Sequence, residues 1–250
     1  MKILVVFGSA SDETTAKPIC AALKPGFEVE YQVISAHRDL EKLQQKMSEW
    51  KGDAVIAGAG LAAALPGVVA AMTKVPVFGV PVNAQFGGLD SLASIAQMPP
   101  GVPVMTCGPD RADAIVTFLK AFQATPAHFG RVHFVMHDKA LLTHPELLAD
   151  IEKAKAAGKG QDVDVTLSDV ESRDAFNVFF VTGPADVADG LRLHVPFMTK
   201  AEAQKPENYL QVLEWTKKGG LWVGVNNTRN AVTSAARLAG AIKISQGRAA

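Results

Sequence analysis

Three short segments within the first 65 residues combine side chains that could hold a phosphorylated sugar and move a proton. In Gly8-Ser9-Ala10-Ser11-Asp12 the small residues let backbone N–H groups approach an anion, two hydroxyls add donors, and a carboxylate can accept from sugar hydroxyls. The plainer reading of this segment is a capped helix start. Ser35-Ala36-His37-Arg38 sets an imidazole, the side chain that titrates near neutrality, beside a guanidinium able to grip phosphate or carboxylate through two parallel hydrogen bonds. His37 is the only histidine in the first 127 residues, and a lone histidine is more often structural than catalytic; its place after a strand and beside arginine favours chemistry. Gly58-Ala59-Gly60-Leu61-Ala62-Ala63 matches the dinucleotide pattern G-x-G-x-x-A. That pattern needs an acidic residue about 20 positions later to hold the adenosine ribose. The strand expected there, Val75–Val82, has no carboxylate, which argues against a nicotinamide cofactor.

These segments must be carried by elements that the hydrophobic pattern makes legible. Ile3–Phe7 is a β-branched run ending in the first polar segment, after which Ala16, Ile19, Cys20 and Leu23 recur at helical spacing, with Pro18 expected to bend the helix or remove one hydrogen bond. Glu28–Ile34 predicts a second strand, followed by Ser35–Arg38 and a helix marked by Leu40, Leu43, Met47 and Trp50. Ala54–Ala57, Val75–Val82 and Val102–Thr106 predict three more strands, with helices between them and a last one over Arg111–Phe122. Strand and helix in alternation predict a parallel sheet covered on both faces, the three-layer α/β/α class, with ligands at the carboxyl ends of the strands. A flavodoxin-like arrangement fits this order, although the later loops lack the Trp or Tyr that would stack on a flavin.

Composition narrows the function classes. The 250 residues carry 25 basic and 25 acidic side chains, a formal net charge of zero, and 48% hydrophobic residues. Such a chain can bury a full core and has no electrostatic bias toward nucleic acid or an anionic membrane. No apolar stretch reaches the roughly 18 residues of a spanning helix, and the short apolar run after Lys2 does not make a signal peptide, so a cytoplasmic location is expected. Cys20 and Cys107 are too few for a disulfide framework or a zinc ribbon and read as buried thiols. There is no G-x-S-x-G elbow, H-E-x-x-H pair or Walker lysine. No metal site is expected.

The chain then starts again. Arg131–Met136 predicts another apolar strand, followed by a helix through Leu147, Leu148 and Ile151 and a strand over Val163–Leu167. Toward the two ends, Leu92 matches Leu210, Gly101 matches Gly219, Val104 matches Trp222 and Arg111 matches Arg229, each pair 118 residues apart. Earlier matches, Gly58 with Gly183 and Val75 with Val195, need short deletions. The expectation is an internal duplication, with domains over 1–124 and 130–250. The second copy has lost the chemistry: His137-Asp138-Lys139-Ala140 and Ser168–Glu171 stand where the polar segments stood. A separate site built on its histidines, His133, His137, His144 and His194, is the less favoured alternative.

Five ordered blocks, Gly8 to Asp12, Ser35 to Arg38, Ala57 to Gly67, Pro76 to Val82 and Asp90 to Pro99, together resemble the PurE family of purine synthesis, over most of residues 2 to 107. The resemblance implies two tandem flavodoxin-like domains with parallel sheets, the first catalytic and the second a degenerate, structural copy. It implies a cofactor-free migration of the carboxyl group of 5-(carboxyamino)imidazole ribonucleotide onto the ring carbon. The alternatives are a carboxylase using carbon dioxide and a nucleotide-binding protein without turnover. By the same resemblance His37 transfers protons; Gly8, Ser9, Ser11 and Arg38 hold the phosphate; Asp12 holds the ribose; and Ser35, Ala36, Gly58, Ala59, Gly60 and Leu65 enclose the base and the carbon dioxide. Two departures stand out: Ala64 replaces a second histidine usual before Leu-Pro-Gly, with Leu61 in place of the commoner glycine, and the first half ends in Cys107-Gly108-Pro109-Asp110-Arg111 without the Asn-Ala-x-Leu-Ala-Ala helix usual in the family, a comparable stretch standing at Asn230 to Ala239. Family members of single length assemble as octamers, so this chain is expected to form a tetramer, with a small-molecule substrate and neither nucleic acid nor membrane as partner.

Overall fold

Runs of β-branched and aromatic residues that end abruptly in glycine, serine or proline form the strands, and the amphipathic stretches between them form the covering helices. A computed structural model describes residues 1–125 and 129–249, with side chains to Lys243. The expected boundary between the halves falls partly on 126–128, outside the described residues. In the first half the order is β1 (Lys2–Phe7), α1 (Glu13–Leu23), β2 (Glu28–Val33), α2 (Leu40–Glu49), β3 (Ala54–Ala59), α3 (Leu65–Met72), β4 (Val77–Pro81), α4 (Leu89–Ala96), β5 (Met105–Thr106) and α5 (Asp113–Ala124). The second half follows with β6 (Arg131–Val135), α6 (Pro145–Lys159), β7 (Asp164–Ser168), β8 (Phe176–Val181), β9 (Leu193–Pro196), α7 (Lys200–Ala203), α8 (Pro206–Thr216), β10 (Leu221–Trp222) and α9 (Thr228–Ala249). Helix α1 continues through Pro18, whose ring removes one donor without ending the helix.

The strands lie in one sheet in the order β2-β1-β3-β4-β5-β10-β9-β8-β6-β7. Within each half every pairing is parallel, as the alternating pattern predicts. What the pattern does not predict is the join: β5 and β10 pair antiparallel, Thr106 opposite Trp222, so two five-stranded parallel sets become a ten-stranded mixed sheet. Two-residue strands leave too little periodicity to announce such a pairing. The second half also departs from the first in its helices. Neither β7 to β8 nor β8 to β9 is bridged by an α-helix, and only a 3-10 turn at Pro184–Asp186 stands in the second connection. There Arg192 lies over the ring of Phe179, 4.9 Å from its centroid, and covers apolar surface that a helix covers in the first half.

One apolar cluster runs unbroken across the join, from Ile3, Val5 and Phe7 through Phe118 and Phe122 to Phe134, Leu147 and Leu238. Its middle is a chain of rings: Phe78 to Phe118 at 5.6 Å, Phe118 to Phe176 at 6.2 Å, Phe176 to Phe129 at 5.0 Å and Phe129 to Phe122 at 5.2 Å. These separations suit edge-to-face and tilted contact. At the join itself Trp222 is fully buried, donates from Nε1 to the Gly219 carbonyl at 2.8 Å, and stacks on His194 at 4.8 Å.

His194 is fully buried, its Nδ1 3.0 Å from the Leu221 carbonyl, and burial pulls its pKa down to about 4. The folded state therefore favours neutral imidazole. The resulting stability is complete above the unfolded value of about 6.5 and is lost as pH falls from there toward 4, a loss on the order of 3 kcal/mol from this group. Urea unfolding at steps between pH 7 and 4 is expected to show that decline, with uptake of a proton, and His194→Asn is expected to flatten it.

Candidate active site

Strand order fixes where a cleft can open. In the first half the order reverses direction between β1 and β3, so the chains leaving these two strands diverge and leave a crevice at their carboxyl ends. A cleft of about 250 Å3 lies there, lined by Gly8, Ser9, Ser11 and Asp12 after β1, Ser35 to Arg38 after β2, Ala59 to Ala62 with Ala64 and Leu65 after β3, and Ala84 after β4.

The first segment is tied to itself and to its neighbour strand. Gly8 N donates to the Gly58 carbonyl at 3.1 Å, Ser11 Oγ donates to Ser9 Oγ at 2.8 Å and lies 3.1 Å from Asp12 Oδ1, and Ser11 N donates to Ser9 Oγ at 3.3 Å. Two hydroxyls and a carboxylate thus stand together just ahead of the N-terminus of α1, where an anion meets the positive end of the helix dipole. Burial raises the Asp12 pKa, and the hydrogen bond from Ser11 opposes that rise.

The second segment is a tight turn held by one hydroxyl. Ser35 Oγ accepts from both His37 N and Arg38 N at 3.3 Å, while Asp39 accepts from Ser35 N at 3.3 Å and returns its own N–H to the Ser35 carbonyl at 2.9 Å. With Ser35 buried beneath the turn, His37 and Arg38 are presented on its exposed side. Arg38 reaches back to the Gly8 carbonyl at 3.4 Å, which brings the guanidinium over the first segment. Among the described residues the His37 ring nitrogens make no hydrogen bond, so both are open to a ligand.

The rest of the lining is an apolar wall: Ala36, Ala59, Leu61, Ala62, Ala64, Leu65 and Ala84. Its loop is bent by Ala62, which has a positive φ of 47°, and closes with Ala64 N donating to the Ala62 carbonyl at 2.6 Å. Helix α4 anchors both sides of this wall. Ser94 Oγ donates to the Ala63 carbonyl at 3.3 Å, and Ser91 Oγ lies 3.0 Å from the carbonyls of Val82 and Gly88.

Of the twelve residues expected from sequence, eleven line the cleft. Gly58 does not. It lies within β3, where a Cβ would stand 2.2 Å from the Phe7 ring, so its smallness answers a packing demand beneath the cleft. Gly60 does line it, and a Cβ there would stand 3.0 Å from that of Ala84. Sequence reasoning overlooked Ala62 and Ala84 as wall residues and the anchoring roles of Ser91 and Ser94. A serine at two positions of an apolar helix face was the available signal.

At the corresponding strand ends of the second half the polar groups pair with one another. His137 Nδ1 is 2.9 Å from Asp186 Oδ1, Lys139 pairs with Asp169 at 2.9 Å, and Arg192 with Glu171 at 3.2 Å. Among the described residues no three His, Cys, Asp or Glu side chains gather as a metal site, and no helix is long and apolar enough to cross a membrane.

Comparison with known proteins adds an independent line. A family model described as AIR carboxylase matches residues 2–125, the half that contains the whole cleft. Over 112 residues the chain is 49% identical to N5-carboxyaminoimidazole ribonucleotide mutase of Methanocaldococcus jannaschii, covering 44% of this chain and 71% of that protein. Over 163 residues it is 40% identical to the protein of the same name from Escherichia coli K12, covering 62% of this chain and 95% of that one. A solved structure of Treponema denticola PurE matches with a TM-score of 0.42 and 22% identity over 64% of this chain and 92% of that chain, too loose a likeness to bear on the site.

Because Asp12 holds its proton more tightly when folded, its ionised form is a liability above the folded pKa, and stability is gained as pH falls through that value. Asp12→Asn is therefore expected to be at least as stable as wild type at neutral pH in urea unfolding. That advantage should disappear on acidification, and ribonucleotide affinity measured by calorimetry should fall.

Proposed function

This chain belongs to the AIR carboxylase family, and on that premise we propose that its first half moves the carboxyl group of N5-carboxyaminoimidazole ribonucleotide from the exocyclic nitrogen to the ring carbon. The observation that carries this reading is the gathering in one cleft of serine hydroxyls, a guanidinium, a carboxylate, a single imidazole and a set of apolar side chains. Ser9, Ser11 and Arg38 suit a phosphate, Asp12 suits ribose hydroxyls, and Ala36, Ala59, Leu61, Ala64 and Leu65 suit an imidazole ring and a released carbon dioxide.

The proton balance needs one group able to give and take. Breaking the carbamate C–N bond frees carbon dioxide and requires a proton on the nitrogen. The enamine-like ring carbon then attacks the carbon dioxide, and the proton on that carbon must leave. His37 as an imidazolium delivers the first proton and as imidazole takes up the second, so the cycle closes without an added acid or base. Apolar walls favour this sequence because they keep water from the freed carbon dioxide and hold it against the ring. No cofactor enters the balance.

The second half is read as a degenerate copy that serves as scaffold. Its strand order, β7-β6-β8-β9-β10, repeats β2-β1-β3-β4-β5, and at its strand ends His137, Lys139 and Arg192 are each paired with a carboxylate, beside a cavity of about 340 Å3 that holds neither a histidine nor an arginine. Such a chain, working in the cytoplasm, would assemble as a tetramer; light scattering is expected to return the mass of four chains, and a monomer mass would overturn that assembly.

Purified protein is expected to convert the carbamate to 4-carboxy-5-aminoimidazole ribonucleotide without ATP, metal or nicotinamide, and His37→Asn to lower kcat by about 10²- to 10⁴-fold. A folded wild-type protein that binds aminoimidazole ribonucleotide and turns over neither the carbamate nor carbon dioxide would sink the reading.

A further inference from the structure

Helix α9 buries Ala231, Val232, Ala235 and Leu238 in the shared core, as an amphipathic helix should. Among the described residues it also buries four polar side chains; Thr228 donates to the Asp150 carbonyl of α6, while Asn230, Ser234 and Arg237 are spaced i, i+4 and i+7 on one face. The hydrogen-bond partners of the Asn230 and Arg237 side chains belong to the first half of the chain. Asn230 Nδ2 lies 3.3, 3.1 and 3.5 Å from the carbonyls of Met98, Pro99 and Val102, and its Oδ1 accepts from Gly101 N at 2.8 Å. Asn227, one turn earlier, donates to the Met98 carbonyl at 2.7 Å. Arg237 donates from Nη2 to the Ala70 carbonyl at 3.1 Å.

Arg237 is only 8% exposed, pairs with no carboxylate among the described residues, and has no partner for Nη1; Ser234 Oγ is likewise unpartnered. A buried guanidinium without a counter-charge works against stability, and an apolar side chain of similar volume would fold at least as well. Its presence calls for a different gain. Ala70 lies in the last turn of α3, where carbonyls lack intrahelical partners and a cation meets the negative end of the helix. The other end of α3 is the apolar wall of the cleft: Leu65 opens the helix and Ala64 precedes it. Eight residues span only about 12 Å, so a displacement at Ala70 is carried to Leu65 by a rigid rod. Met98 bears on the same helix, since a Cβ on Gly67 would stand 2.9 Å from its Sδ and Cε.

We infer that Arg237, with Asn230, is a positioning pair through which the second half of the chain sets where Ala64 and Leu65 stand in the cleft of the first. The stripe is not repeated 118 residues earlier, where Ala112, Val116 and Leu119 stand. The first half reaches the second by a different route, through Arg111, which donates to the Lys217 carbonyl at 2.8 Å and pairs with Asp189 at 3.0 Å, neither of them on α9.

This inference rests on the carboxyl-migration reading for one of its two tests. In the full chain, assayed well below its melting temperature, Arg237→Met is expected to lower kcat for the carbamate about tenfold, within the range that an ångström of misplacement can produce. KM is expected to move less than about twofold, because the groups assigned to phosphate and ribose stand after β1 and β2 and not on α3. The pH profile should keep its shape, and Arg237→Lys, which retains a donor and a charge, should recover part of kcat. Hydrogen exchange over residues 60–72 is expected to quicken in Arg237→Met. Wild-type kcat with unchanged exchange in that segment would overturn the inference, as would a loss of activity that follows the melting temperature. Should wild type show no turnover, the migration reading fails, and exchange in the 60–72 segment alone decides the inference, unchanged protection refuting it. Should Arg237→Met not fold, Arg237→Lys carries both readouts, with a smaller kcat loss expected and wild-type values overturning the proposal.

Discussion

Antiparallel pairing of β5 with β10 is the contact on which the rest of this molecule depends. Two five-stranded parallel sets would each present an unpaired edge, with a row of unsatisfied N–H and C=O groups. Pairing the two edges removes both, and it places the carboxyl ends of one half beside the amino ends of the other. Few hydrogen bonds do this, for each strand is two residues long. The join holds because it is buried: Trp222 and His194 stack beside it, and the phenylalanine chain from Phe78 to Phe129 fills the layer above it. A single core then serves both halves.

That geometry also sets which surfaces of the two halves meet. Antiparallel joining brings Asn230, near the start of α9, against the loop before β5, and Arg237, two turns further along, against the C-terminal end of α3. The second half has no α-helix between β7 and β8 or between β8 and β9, and at its strand ends Lys139 pairs with Asp169, His137 with Asp186 and Arg192 with Glu171. A crevice whose charged groups satisfy one another has little left to offer an anion. The first half keeps Arg38 and Asp12 apart and His37 without a partner, which is the state a binding site needs.

The cleft is also a compromise between packing and access. Gly58 yields space to Phe7 underneath, Gly60 yields it to Ala84 across the loop, and Ala62 accepts a left-handed backbone to turn the chain into α3. Two serines of α4 tie down the loops on either side, Ser94 at the Ala63 carbonyl and Ser91 at that of Val82. The walls are thus held by groups that never meet a ligand.

Sequence alone determined the parallel α/β order of strands in each half, because β-branched runs and 3.6-residue periodicity are local properties, and it pointed to the segments Gly8–Asp12, Ser35–Arg38 and Gly58–Ala63, because segments that leave adjacent strands at their carboxyl ends must converge; Leu65 came only through resemblance to a family. Tertiary structure alone decided three things. It removed Gly58 from the cleft, since a Cβ clash with Phe7 depends on how β1 and β3 stack and not on the motif around the glycine. It fused the two sheets, since strands of two residues carry no periodic signal. It aimed Asn230, Ser234 and Arg237 at the first half: spacing shows that three polar residues share a helical face, but which surface that face meets is fixed only when the sheets have joined.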